Sequence, residues 1–234
     1  MGEVRYDIDP LGRKIIGKVA WRLIPFMVVL YFLNYLDRVN VSFAALTMNA
    51  DLGFSATVYG NGAGMLFLGY VVFMIPSNLI LDRIGVRRWV APITIMWGLL
   101  ASLMAFVQGP VSFYVLRFVL GAAEAGFFPG MILYLTYWFP STVRGRITSL
   151  FLLAIPLSSV VGAPVSTVLL DISAWGFKGW QWLFLIQGVP DILARLPGVQ
   201  IPYRQPPKRR VAEAAGAGVA DPYARCRAAT AYAR

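Results

Sequence analysis

The chain has 234 residues, 58% of them hydrophobic and only 14% charged, where an ordinary soluble domain carries about 25% charged residues. That composition excludes an ordinary soluble globule, the single cysteine (Cys226) excludes an intrachain disulfide, and the lack of histidine excludes Ser-His and Cys-His catalysis and His-ligated zinc or haem. The net charge of +10 lies mostly between apolar runs and in the last forty residues, so it reads as a topology signal and not as a nucleic-acid-binding patch.

Residues 1–21 form a basic segment assigned to the cytoplasm. Within and just past it, GRKIIGKVAWRL (12–23) suits either a short interfacial helix or a basic topogenic leader. The first apolar run, 22–46, is too long for a signal h-region and reads as a retained first span. Further runs follow at 56–81, 89–108, 111–138, 147–170 and 179–194. The charged link DRIGVRR (82–88) parts the second from the third, Gly109-Pro110 turns the third into the fourth, and Phe139-Pro140 ends the fourth. About 20 residues at ~1.5 Å each suffice to cross a bilayer core, and only the sixth run falls short of that. Arginine and lysine alternate with the spans: Arg5, Arg13, Lys14, Lys18 and Arg22 before the first, Arg83, Arg87 and Arg88 after the second, Arg144 and Arg146 after the fourth. The other links hold only Lys178, which orients the N-terminus to the cytoplasm.

Few ionisable residues fall inside the runs. Asp37 and Arg38 sit together in NYLDRVN (34–40), and Arg117 and Glu124 lie seven apart in the fourth run. A charge at the bilayer centre costs at least ~2.5–3.5 kcal/mol, so such residues normally face a bundle interior or a watery cavity and mark a substrate or ion path. Seven residues are nearly two helical turns, which sets Arg117 and Glu124 on one face about 10 Å apart. Mutual neutralisation as buried pairs is the competing reading, although buried pairs add little stability. Arg117, near the Gly-Pro turn, has the further option of snorkelling to an interface. The charged spans are each the first of three, as in carriers built from 3+3 inverted repeats. Gly60 with Gly64 and Gly126 with Gly130 are spaced for close helix contact.

NLILDRIGVRR (78–88) resembles the Gly-x-x-x-Asp-Arg-x-Gly-x-Arg/Lys signature of the major facilitator superfamily, through Asp82, Arg83, Gly85, Arg87 and Arg88, with Asn78 in place of the opening glycine. YLDRVNVSFA, GYVVFMIPSNLILDRIG and LRFVLGAAEAGFFPGMILYLTYWFP are similar to its anion:cation symporter branch, over about residues 22–190. That branch holds permeases for phthalate, tartrate and sugar acids and the vesicular glutamate and sialic acid carriers. The resemblance implies an all-α membrane fold, the six-span N-terminal half of a twelve-span carrier. It implies proton coupling at Asp37 and Glu124, carboxylate contacts from Arg38, Tyr70 and Arg117, and a conformational latch at Asp82, Arg83, Gly85, Arg87 and Arg88. Some relatives carry a polar amide in span five, where this chain offers Ser158 and Ser159. The expected activity is proton-coupled uptake of an organic carboxylate across a bacterial inner membrane, with no cofactor and no metal. A non-transporting membrane assembly protein is the alternative from a different class.

The chain departs from the family after the short sixth run. Residues 195–234 hold eight of the 21 basic residues, are rich in Ala, Pro and Gly, and have no sustained apolar period. They read as a disordered basic tail, and the abrupt change near 190–195 raises the expectation of a frame shift and a truncated carrier. A half-sized transporter would instead require a second copy, or a full-length carrier as partner, to complete a cavity.

Overall fold

The computed structural model describes residues 10–139 and 141–193. They form helices α1 (Pro10–Leu52), α2 (Ala56–Ile84), α3 (Val86–Leu103), α4 (Pro110–Glu124), α5 (Phe127–Trp138), α6 (Ser141–Leu152), α7 (Ala154–Leu170) and α8 (Gly179–Leu193), with a short 3-10 turn at Met104–Phe106. The only extended pairing among the described residues is an isolated bridge between Ala174 and Phe177. The basic tail with Cys226, and residues 1–9, lie outside the described residues. The leading segment from Pro10 is continuous with the first span as one helix of 43 residues.

Among the described residues, five segments are long and apolar enough to cross a membrane: Gly17–Leu52, Ala56–Ile84, Arg88–Phe106, Pro110–Thr136 and Ser141–Leu170. The sixth apolar helix, α8, is described over Gly179–Leu193. The fourth and fifth spans are each interrupted four residues before a proline. Pro129 and Pro156 lack an N–H, and their rings crowd the carbonyls of Ala125 and Leu152, so α4 stops at Glu124 and α6 at Leu152. The break in the fourth span therefore begins directly after a charged residue.

Local chemistry fixes the other ends. Ser55 caps α2, its Oγ accepting from the Val58 N–H at 3.2 Å. Gly85 joins α2 to α3 at φ 88°, ψ 148°, backbone angles that only glycine adopts without strain. Asp82, Arg83 and Arg88 are exposed around this turn, and the side chain of Arg87 lies outside the described residues.

Helix α1 packs chiefly on α7, α2 on α4, and α3 on α8. In span order that is first with fifth, second with fourth, third with sixth. Exchanging the first triplet for the second maps this set of pairs onto itself, as a two-fold relation between two three-helix units requires. The α2–α4 contact is backbone against backbone: a Cβ on Gly69 would strike the Phe118 carbonyl oxygen, and one on Gly121 the Leu66 carbonyl oxygen. Gly60 and Gly64, singled out by their spacing, meet only open space; Gly62, against the Phe113 ring, is the packing glycine of that turn. Gly126 and Gly130 do make the expected contacts, with Ser77 and Trp89 and with Leu81.

Two apolar cores result. The larger contains Leu23, Met27, Leu30, Trp97, Phe127 and Phe151. The smaller, toward the Asp51 end, contains Val41, Ala44, Met48, Leu169, Leu183 and Phe184. Exposed Phe67, Val71 and Ile75 on α2 and Val160 and Val168 on α7 leave the outer surface apolar, which suits hydrocarbon.

Candidate functional site

The four intramembrane charges converge. On α1, Asp37 belongs to the buried face with Asn34 and Val41, while Arg38, the next residue and about 100° around the helix, is only partly covered. On α4, Phe113, Arg117, Leu120, Gly121 and Glu124 share the buried face. Gly69 against the Phe118 carbonyl and Gly121 against the Leu66 carbonyl let α4 approach α2 closely, and Arg38 reaches across to Glu124. Its Nε donates to Glu124 Oε2 at 2.7 Å, with side-chain exposures of 21% and 0%.

Aromatic rings frame this pair. The Arg38 guanidinium lies over the Tyr70 ring at 4.9 Å and the Tyr35 ring at 5.6 Å, the arrangement in which a ring quadrupole attracts a cation. Tyr31 sits edge-on to Tyr35 at 5.7 Å and stacks on Phe151 at 4.5 Å, which ties the ring cluster to the larger core. Tyr31 and Tyr35, two turns and one turn before Arg38, carry a helical spacing that has no charge to flag it in the sequence.

Arg117 is buried deeper, at 3% exposure. It therefore stays inside the bundle and does not snorkel. Its guanidinium lies over Phe113 at 5.8 Å and within electrostatic reach of Glu124, Asp37 and Tyr59. Arg117 Nε and Nη1 and Glu124 Oε1 have no hydrogen-bond partner among the described residues. The cluster thus contains one closed ion pair and a second guanidinium with donors to spare. A buried donor left unpaired costs ~1–3 kcal/mol, more when charged, so the arrangement suits an arriving acceptor with two oxygens. Arginine's planar fork matches a carboxylate in that role.

The serines of the fifth span divide. Ser158 is buried and its hydroxyl donates to the Ile155 carbonyl at 2.7 Å, while Ser159 is exposed. No group of three Asp, Glu, Cys or His side chains gathers among the described residues. Among the buried polar residues missed from sequence are Asn34 and Asn40, which flank Asp37 at helical spacing and are buried with it.

The sequence matches the Major Facilitator Superfamily profile over residues 27–228. The chain belongs to the major facilitator superfamily. It is an integral membrane protein with the helical fold of that superfamily's N-terminal half. It is 54% identical over 186 residues to a protein of Agrobacterium vitis named as a tartrate transporter, covering 79% of this chain and 41% of that one. It is 50% identical over 192 residues to the metabolite transport protein NicT of Pseudomonas putida, covering 81% and 44%. It is 46% identical over 186 residues to a quinolone resistance transporter of Acinetobacter baumannii, covering 79% and 43%. The chain therefore spans about two fifths of the length of the curated relatives it matches. Among solved structures, an inward-facing bacterial homologue of the human lysosomal transporter Spinster matches with a TM-score of 0.64 at 20% identity, over 74% of this chain and 42% of that one. That likeness speaks to the fold alone.

Proposed function

We propose that the chain forms the N-terminal half-bundle of a proton-coupled carrier for an organic carboxylate, of the tartrate or aromatic-acid class, in a bacterial inner membrane. The observation that carries this reading is the buried cluster of two carboxylates and two guanidiniums, one pair closed and one guanidinium with unpaired donors. The four formal charges sum to zero, so an arriving monoanion leaves one negative charge in excess, and a proton on Glu124 or Asp37 offsets it. Protonation of Glu124 also dissolves its pair with Arg38. The freed guanidinium, held between Tyr35 and Tyr70, and the donors of Arg117 then grip the substrate carboxylate from two sides. Release of the proton re-forms the pair and expels the anion. In this reading the N-terminus is cytoplasmic and the turn at Asp82, Arg83, Gly85, Arg87 and Arg88 is the conformational latch. A second copy or a longer carrier supplies the other wall of the cavity.

The test is uptake of labelled tartrate and nicotinate into vesicles holding the purified chain, with and without an inward proton gradient. Gradient-driven uptake that Glu124→Gln and Asp37→Asn abolish is the expected result. Uptake indifferent to both substitutions overturns the proton roles. Co-purification with a longer carrier and no flux of its own replaces transport with an assembly role.

A further inference from the structure

The link between α7 and α8 holds a strained turn that no step above uses. The Phe177 N–H donates to the Ala174 carbonyl at 3.0 Å, and these two residues form the isolated antiparallel bridge. They close a four-residue turn whose central residues, Trp175 and Gly176, have φ of 54° and 78°. A turn with two positive φ values favours Asn-Gly or Gly-Gly at its centre. Tryptophan fits poorly there, because its Cβ crowds the following carbonyl. Among the described residues, Trp175 is the only one other than glycine with a positive φ. Yet the turn gives the core nothing in return, since it holds the Trp175 side chain at 88% exposure. A strained backbone that displays a large ring outward points to a role outside the fold.

The neighbouring rings show what the indole meets. Trp175 lies 5.9 Å from Trp182 between ring centres, Trp182 lies 5.9 Å from Phe177, and Phe177 lies 6.1 Å from Phe106. Trp182 Nε1 donates to the Ala174 carbonyl at 3.2 Å, which ties the turn to α8. Phe106 ends the third span, and Leu170, five residues before Trp175, ends the fifth. Along the third span, Leu99, Leu103 and Phe106 form an exposed apolar stripe at helical spacing. The ring cluster therefore begins where a surface suited to hydrocarbon stops. The same link carries the exposed Asp171 and Lys178, the latter paired with Asp51. Apolar stripe, aromatic cluster and charged rim follow one another in the order of acyl chains, headgroups and water. An indole, apolar in its ring and polar at its N–H, suits the middle layer. We propose that Trp175 anchors the α7–α8 link in the lipid headgroup layer at the Asp51 end of the bundle, with its ring on the acyl chains and Nε1 donating to lipid ester or phosphate oxygens. The turn acts as a rigid bracket for the ring. It fixes the membrane depth of the first turn of α8, and with it the Lys178–Asp51 tie to α1.

Fluorescence of the full chain in phosphatidylcholine vesicles tests the anchor, with bromine carried on the acyl chains either near the headgroup or near the bilayer centre. The emission of the unaltered chain minus that of Trp175→Phe isolates Trp175. That difference is expected to be quenched more strongly by the shallow bromines than by the deep ones, and to be shielded from acrylamide in the water. Trp175→Asn suits the positive φ, so it keeps the turn while removing the ring, and subtracting it instead should give the same pattern. A difference emission open to acrylamide and untouched by bromine overturns the proposal, because the indole then stands in water, free for a soluble partner. Stronger quenching by the deep bromines overturns it as well, since the ring then sits among acyl chains without reaching the headgroups. Each readout is independent of whether the chain transports anything.

Discussion

Two ion pairs among the described residues, Arg38–Glu124 and Lys178–Asp51, bridge distant parts of the chain, and they are opposites. Arg38 and Glu124 meet inside the bundle at 21% and 0% side-chain exposure; Lys178 and Asp51 meet at its rim at 61% and 20%. The rim pair is surrounded by compensation. Asp51 also accepts from Trp180 Nε1 at 3.0 Å, Gln181 Oε1 accepts from the Lys178 N–H at 2.9 Å, and Gln181 Nε2 donates to the Ala105 carbonyl at 2.8 Å. Every member of that network is occupied, and it ties the end of the first span to the start of the sixth. The inner pair leaves Glu124 Oε1 and two Arg117 nitrogens unoccupied. A network built to hold a shape closes its hydrogen bonds, whereas one that must take up and release a guest keeps some open.

The comparison is broken most severely at Glu124. Glu124→Gln leaves the partly covered Arg38 without its counter-ion; breaking a fully buried pair costs ~3–5 kcal/mol, which sets the upper bound of the loss here. Chemical unfolding of the purified chain in mixed detergent micelles should register that loss, and wild-type stability would mean that the pair is not buried in the membrane. Gly121→Leu comes next. It forces α4 away from the Leu66 carbonyl without altering a charge, at ~1–3 kcal/mol for overpacking, and should weaken substrate-dependent stabilisation by moving Glu124 off Arg38. Asp51→Asn is expected to cost no more than ~1 kcal/mol, the range of solvent-exposed pairs. Its effect should shrink as salt is raised, which a melt series in sodium chloride measures. The smallest effect on stability belongs to Tyr70→Phe, which keeps the ring beneath Arg38 and removes only the hydroxyl. If Tyr70 touches the substrate, carboxylate affinity falls while the melting temperature holds.

Much of this was legible in the sequence, and for identifiable reasons. Spans announce themselves because hydrocarbon tolerates so little else, and Asp37, Arg38, Arg117 and Glu124 stand out by cost alone. What distance in sequence conceals is pairing. Asp51 and Lys178 read as loop charges because nothing local links positions 127 apart. The glycines show the limit of spacing arguments. Gly60 and Gly64 have the right interval and face open space, whereas Gly69 and Gly121, on different helices, are matched only by the crossing of those helices. The breaks after Glu124 and Leu152 were written in Pro129 and Pro156, yet Pro25, Pro76, Pro92 and Pro164 sit inside unbroken helices. Proline thus permits a break that packing must still choose. Asn34 and Asn40 escaped notice because an asparagine in a span carries no charge to flag it.

The glycine crossing of α2 and α4 has a thermal corollary. Its strength comes from backbone atoms in van der Waals range, in a medium where apolar surface gains nothing by leaving water. Attraction of that kind lacks the large heat-capacity signature of hydrophobic burial and does not fade on cooling. The half-bundle should hold this joint from refrigeration to growth temperature, and its weak point should be the thickness and chain length of the lipid or detergent around it.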